Sequence, residues 1–298
     1  MQLENQFEEY RPLLFSLAYR MLGTRADAED IVQDAYLRWQ SASSEEIRAP
    51  KSYLTTVVAR LSLDSLKSAR RKRETYVGEW LPEPIVEPRG SSAVEMAESL
   101  SLAFLHILEA LSPDERVAFL LREVFDADYA EIATTLDTPE ANCRQLIARA
   151  RKHIRGRRPR FKVDRARQQS VLEQFLFACQ TGDPSHLLPL LSPDVEMHSD
   201  GGGKVAATIN PIYGADKVSR FFKGLAKKGV GVGLTAKFVN VNGDPGVVLM
   251  QGANPNSVVS IELSQSGLIH RIFFVVNPDK LPAANWLAGY GVVNLSAP

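Results

Sequence analysis

Between residues 112 and 154 apolar side chains recur at helical spacing in three short blocks, each opened by its own capping residues. Ser112-Pro113-Asp114-Glu115 starts the first. The serine side chain accepts from an otherwise orphan backbone N–H, the glutamate reaches back, and Val117, Leu120, Leu121 and Val124 supply the apolar stripe. Asp128 with Glu131 repeats the device ahead of Tyr129-Ala130-Glu131-Ile132-Ala133-Thr134-Thr135-Leu136. Thr138 followed by Pro139 predicts a third cap, with proline at the first helical position, where its missing N–H loses no bond. Ala130, Ala133 and Leu136 are expected to face Cys143 and Ile147 across the turn. Two short helices joined by a tight polar turn, the second ending in Arg149-Ala150-Arg151-Lys152, read as a helix-turn-helix. The major groove of duplex DNA admits such a second helix, and arginines at its far end can hold phosphates.

The same periodicity places a helix upstream. Thr24 with Asp27 predicts an N-cap, after which Ala28, Ile31, Val32, Ala35 and Trp39 fall on one side. Asp27, Asp30 and Asp34 project away from that side, with Gln33 and Leu37 on a neighbouring outward strip. Outward carboxylates beside an outward leucine suit a partner surface; a catalytic acid and base would need a pocket to shift their pKa values. Residues 80–92 are rich in proline, glycine and serine and read as an extended linker. Trp80 and Leu81 are costly to leave in water, since full burial of a large side chain is worth roughly 1.5–3 kcal/mol, so something is expected to cover them. Beyond residue 165, Val171, Leu172, Phe175 and Leu176 mark a helix, followed by Gly182-Asp183 and an apolar run at 187–191. Strand-like segments then follow at Val247-Val248-Leu249-Met250, at 258–263 and at 269–276. Helices first and a curved antiparallel sheet after them predict an α+β cone.

Length and composition bound this picture without changing it. At 298 residues and 45% hydrophobic residues the chain suits two or three globular domains. Met1-Gln2-Leu3-Glu4-Asn5 lacks the blocks of a signal peptide, and no apolar run approaches bilayer length, so a cytoplasmic location without a membrane partner is expected. Cys143 and Cys179 stand far apart in helical patterns, which argues against a disulfide framework or zinc site and for two small buried hydrophobes. A formal net charge of +0 is unusual for a DNA-binding chain, but the charges are segregated. Basic residues concentrate at Arg70-Arg71-Lys72-Arg73 and across 144–167, and acids at Glu8, Glu9, Asp27, Glu29, Asp30 and Asp34. Such a chain can meet DNA with one face and a basic protein with another.

Candidate enzyme chemistry rests on Glu196, His198, Asp200, Tyr213 and His270, which would supply an acid–base pair only if they lined the cone. No catalytic spacing links them. Gly201-Gly202-Gly203 reads as a turn, since neither a Walker pattern nor a dinucleotide fingerprint surrounds it. No catalytic residue, metal ligand or cofactor is assigned, and a small-molecule ligand in the cone stays open.

Tyr19-Arg20-Met21-Leu22-Gly23 and then Asp27-Ala28-Glu29-Asp30-Ile31-Val32-Gln33-Asp34-Ala35-Tyr36-Leu37-Arg38-Trp39 resemble region 2 of bacterial extracytoplasmic-function sigma factors of the sigma-70 family, and the helix-turn-helix is similar to their region 4. Two further motifs, Arg73-Glu74-Thr75-Tyr76-Val77-Gly78-Glu79-Trp80-Leu81-Pro82-Glu83-Pro84 and Asp200-Gly201-Gly202-Gly203-Lys204, resemble the sigma-J-like group, which carries a fused SnoaL-like domain. The resemblance implies a multidomain protein. It has an all-α region 2 bundle over 1–78, a linker over 79–93, an all-α region 4 helix-turn-helix domain over 94–160, and a C-terminal α+β SnoaL-like cone over 165–298.

It also implies partners and residues. Core RNA polymerase would be gripped through Glu29, Asp30, Gln33 and Asp34. Promoter DNA would meet the loop 41–51, which matches the segment that captures an unstacked minus-ten base, and the next helix through Arg60, Lys67, Arg70 and Arg71. Arg60 departs from the family that the chain resembles, in which asparagine is common at this place. Glu140, Asn142, Arg144 and Gln145 would face the minus-thirty-five element, with Arg149 a turn later. Trp80, Leu81, Pro82, Glu83 and Pro84 are expected to dock on the turn of Asp200, Gly201, Gly202, Gly203 and Lys204 and to transmit regulation in cis. The alternatives are a polymerase-independent helix-turn-helix regulator, or a ligand-sensing or catalytic SnoaL-like domain fused to a DNA-binding module.

Overall fold

The computed structural model describes residues 2–42, 47, 49–73, 75–87, 101–155, 164–284 and 293–294. The chain divides into two compact units, one of Met1–Thr75 with Leu105–Arg158 and the other of Tyr76–Phe104 with Pro159–Pro298. The segment expected to be an extended linker falls, together with the first turn of the helix that follows it, in the same unit as the C-terminal sheet.

In the first unit, α1 (Gln2–Leu22), α2 (Arg25–Ser41) and α3 (Pro50–Arg73) pack around the expected stripe. Ala28, Ile31, Val32, Ala35 and Trp39 are all buried, and Phe7 meets Tyr36 edge-on at 4.9 Å. Thr24 is the N-cap of α2 by position only: its hydroxyl donates to the Asp27 carboxylate and makes no bond to the helix backbone. After α4 (Leu102–Leu108), α5 (Pro113–Glu123) opens with the full Ser112–Glu115 capping box. It is buried on every side from Glu115 to Leu121. A buried charge there has to be satisfied, and Arg116 donates to the Met21 carbonyl and pairs with Glu109, both at 2.8 Å.

The helix-turn-helix forms from α6 (Tyr129–Leu136) and α7 (Glu140–Ile154), and the Asp128–Glu131 capping box is present. Two local expectations fail. Pro139 is the N-cap of α7, and the Thr138 hydroxyl accepts from the Asn142 side chain at 3.1 Å without capping the backbone. The inward residues of α6 are Ile132 and Thr135, whereas Ala130 is exposed and Ala133 and Leu136 are only half-buried. A short helix packed against α3 as well as α7 turns a different arc inward. Ser52 of α3 donates to Glu131 at 2.8 Å, and the Thr135 hydroxyl is satisfied by the Glu131 carbonyl.

The second unit holds α8 (Arg165–Thr181), α9 (Pro184–Leu187) and α10 (Ala215–Lys227) against one sheet. The strands are β1 (Val86–Glu87), β2 (Leu191–Asp200), β3 (Ile212–Tyr213), β4 (Leu234–Val241), β5 (Asp244–Gln251), β6 (Asn254–Leu263), β7 (Ile269–Val275) and β8 (Val293–Asn294). Their order is β1-β4-β5-β6-β7-β2-β3, with β8 also on β4. The sheet is mixed, not antiparallel throughout, because β2 runs parallel to β7. Pleat alternation sends Val247 and Leu249 towards Leu172 and Phe175 of α8, and Val248 and Met250 to the opposite face. That opposite face is covered by Leu81, Val86, Leu102 and Ala103. Cys143 is fully buried as expected; Cys179 is only half-buried.

Candidate functional sites

On α7, Glu140, Asn142, Arg144, Gln145 and Arg149 are all exposed, as a helix entering a groove requires. Arg144 bonds Glu140 one turn back at 2.7 Å, and its guanidinium lies 4.6 Å from the centre of the Tyr129 ring. These contacts restrict where the guanidinium points, and being surface contacts they are worth little to stability.

The α2 strip is equally open. Glu29, Asp30, Gln33 and Asp34 are exposed, and Leu37 shows 55% of its surface among them. On α3 the picture differs from the expectation of free cations. Arg60 donates to the carbonyls of Thr134 and Thr135, the latter at 3.1 Å, and thereby satisfies the C-terminal end of α6. Lys67 pairs with Asp114 at 3.1 Å. The side chains of Arg70 and Arg71, residues 43–46 and 48 of the loop 41–51, and the linker beyond Glu87 lie outside the described residues.

The residues of the two sigma-J-like motifs meet at Asp200, which has no exposed surface. Its carboxylate accepts from the Tyr76 hydroxyl, from the Leu81 N–H at 2.9 Å, from the Gly202 N–H at 3.0 Å and from the Lys280 ammonium at 2.7 Å. Lys280 also donates to the Leu81 carbonyl at 2.6 Å and lies 4.1 Å from the centre of the Trp80 ring. Leu81, Pro82 and Pro84 are buried; Trp80 and Glu83 are half-buried. Gly202 and Gly203 take φ of +64° and +68°, and a Cβ on Gly203 would lie 3.0 Å from the Val77 Cβ, so the turn depends on glycine to reach the linker. Lys204 faces away and pairs with Asp279. Further on, Asn242 bonds the Ile85 backbone at 3.0 Å and 2.7 Å, and β1 adds Val86 opposite Val241.

Burial, with the Asp200 carboxylate next, raises the Tyr76 pKa, so the phenol remains a donor. Asn277 completes the seat by donating to the Tyr76 hydroxyl at 2.9 Å; Tyr76, Asn277 and Lys280 were not among the residues expected there. Tyr76 lay inside a quoted motif, but nothing local marks Asn277 or Lys280 as buried partners.

A second polar group clamps the linker one residue upstream of Trp80. His198 bonds Glu79 at 2.8 Å and Glu196 at 3.2 Å, and Arg271 pairs with Glu196 and Glu262. Burial alone would lower the His198 pKa, but the hydrogen bonds and charges of Glu196 and Glu79 outweigh it and raise it above 6.5. The bond from His198, opposed by burial and reinforced by Arg271, brings Glu196 down from 4.5 to about 2.

The His198 contribution to stability is therefore complete below the ordinary histidine value and is lost as pH rises through the raised one. The Glu196 contribution is complete above 4.5 and is lost as pH falls towards about 2. Thermal unfolding of the full chain and of His198→Gln from about pH 5 to about pH 9 is expected to give curves that converge at the alkaline end. A gap that is constant with pH would show that His198 carries no differential charge.

Glu196, His198, Asp200, Tyr213 and His270 do not form an acid–base site in the cone. The apolar cavity between α8, α10 and the sheet includes none of them in its lining. Tyr213 is exposed and His270 stands 3.6 Å from Asp194 on the surface. Among the described residues no helix is long and apolar enough to cross a membrane.

A helix-turn-helix, a helical bundle with an acidic outer strip and a linker seated on a mixed-sheet cone define a class, and residues 6–72 match the family model for Sigma-70 region 2 while 101–154 match that for Sigma-70, region 4. The chain belongs to the extracytoplasmic-function (ECF) RNA polymerase sigma factors. It is 39% identical over 290 residues to the ECF RNA polymerase sigma factor SigJ of Mycobacterium tuberculosis, covering 93% of this chain and 92% of that one. It is also 37% identical over 215 residues to the probable ECF RNA polymerase sigma factor SigI of the same species, covering 70% of this chain and 72% of that one. The crystal structure of SigJ superposes with a TM-score of 0.75 at 37% identity, over 93% of this chain and 97% of that one.

Proposed function

We propose that this sigma factor binds core RNA polymerase through the α2 strip of Glu29, Asp30, Gln33 and Asp34, and reads promoter DNA with α3 and α7. In this reading the C-terminal domain regulates it in cis by holding the linker. Exposure of the acids and of the α7 side chains supports the first two assignments. The cis-regulatory part is carried by one observation, the Asp200 carboxylate that binds the linker at both Tyr76 and Leu81. Residues held on a domain cannot also stretch between region 2 and region 4, and docking of 76–87 withholds roughly 40 Å of extended reach. Contact of Arg60 with DNA requires its guanidinium to leave the carbonyls of Thr134 and Thr135. A small molecule in the cone belongs to the same reading as an input.

Run-off transcription with purified core polymerase tests it. The full chain should direct initiation from a cognate promoter that core enzyme alone ignores, and a chain ending near residue 160 should do so at an altered rate. Promoter binding without polymerase, at unchanged affinity, would favour the independent helix-turn-helix regulator.

Within α7 position separates two roles. Arg144→Ala is expected to cost about 1–3 kcal/mol at particular base pairs of the minus-thirty-five element, whereas Arg149→Ala weakens all sequences alike and flattens the salt dependence. Binding across a promoter library at several salt concentrations separates them; uniform loss from Arg144→Ala would reduce it to a phosphate contact.

A further inference from the structure

The cone encloses a cavity of about 540 Å³ that neither the helix-turn-helix nor the linker seat uses. That is the size of site that buries a drug-sized molecule. Its walls are Phe175, Phe221, Phe222, Met197, Leu249 and Phe274, with other small and apolar groups. Its remaining polar lining residues are Cys179, Gln180, Ser199, Thr208 and Asn256, all with uncharged side chains. Ser199 and Thr208 already satisfy each other, hydroxyl to hydroxyl at 2.6 Å and Thr208 N–H to Ser199 hydroxyl at 3.0 Å. Among the described residues that line the cavity none is charged. An anionic ligand would give up its hydration here with no cation in return, while an apolar one loses nothing.

The rim adds a second observation. Gly229-Val230-Gly231-Val232-Gly233 lines the cavity, with positive φ at each glycine, and holds Val230 and Val232 54% and 79% exposed. Val205, on the rim as well, is 42% exposed. Three valines kept in water around an apolar opening are apolar surface that an occupant would cover.

The cavity also touches the linker seat through one wall. Residues 205–208 line it and lead directly from the glycine turn. A Cβ on Gly201 would lie 2.5 Å from the Val205 carbonyl oxygen, and one on Gly78 would lie 3.8 Å from the Thr208 carbonyl oxygen. That wall is therefore packed between the Asp200 turn and the linker, and a ligand pressing on it changes the fit of both.

We infer that the cone binds an uncharged, predominantly apolar small molecule, and that its occupancy is felt by the linker through residues 205–208. This rests on the cis-regulatory reading above and names its input.

The test uses the full chain and two fluorescent probes that share one ring system, neutral N-phenyl-1-naphthylamine and its sulfonated counterpart 1-anilinonaphthalene-8-sulfonate. The neutral probe is expected to bind at least about tenfold more tightly. Val230→Asp and Val232→Asp, both at exposed rim positions, should each weaken it about tenfold with unchanged thermal unfolding. Hydrogen exchange of the amides at 77–81 should change severalfold when the neutral probe saturates. Equal or tighter binding of the sulfonated probe, insensitivity to both rim variants, or linker exchange that ignores the probe would each overturn the inference. Should neither probe bind while Trp80→Ala, with the C-terminal domain still folded, alters transcription, the pocket assignment falls and the cis-regulatory reading stands.

Discussion

Asp200→Ala is expected to destabilise the second unit by about 3–5 kcal/mol, the largest effect of any single substitution considered. The carboxylate is fully buried and is the shared acceptor for Tyr76, Leu81, Gly202 and Lys280. Its removal leaves the Lys280 ammonium, 8% exposed at its side chain, without its counter-charge and the Leu81 N–H without an acceptor. Most of the cost belongs to that stranded charge, so Asp200→Ala combined with Lys280→Met should cost less than Asp200→Ala alone. Chemical denaturation of the single and the double variant beside the parent decides it. A double variant worse than the single one would mean that Lys280 is held by Trp80 and the Leu81 carbonyl independently of Asp200.

The second large effect is on binding. Asp30→Arg with Asp34→Arg should reduce affinity for core RNA polymerase by more than about a hundredfold, since opposing like charges across an interface cost several kcal/mol. Both side chains are exposed, so the bundle beneath, built on Ala28, Ile31, Val32, Ala35 and Trp39, should keep its circular dichroism and melting temperature. Parental affinity in the folded variant would remove the α2 strip from the polymerase interface.

Much of the fold was legible because it is written in local chemistry. The Ser112 and Asp128 capping boxes and the α2 stripe are patterns of neighbours, and they formed where the residues placed them. What was lost depends on remote partners. The parallel pairing of β2 with β7 joins strands separated by most of the C-terminal domain, and no periodicity says which distant strands become neighbours. Arg60 looked free for phosphate because the carbonyls that occupy it belong to residues 134 and 135. Lys280 has no motif around it, yet it closes the linker seat.

One signal was present and underused. Val247-Val248-Leu249-Met250 is apolar without alternation, which on a strand means that both faces are covered. α8 covers one face, and the cover for the other is the same Leu81 whose apolar character in a linker had no explanation within its own segment.

The central claim is that the linker seat and promoter-dependent transcription are coupled, and a double-mutant cycle in run-off transcription with core RNA polymerase tests it most directly. Trp80→Ala and Asp200→Ala should each change the initiation rate of the full chain, and the pair should depart from additivity by more than about 0.5 kcal/mol, because both act on one docked state. Strict additivity, or initiation rates that ignore both substitutions while the C-terminal domain stays folded, would contradict it.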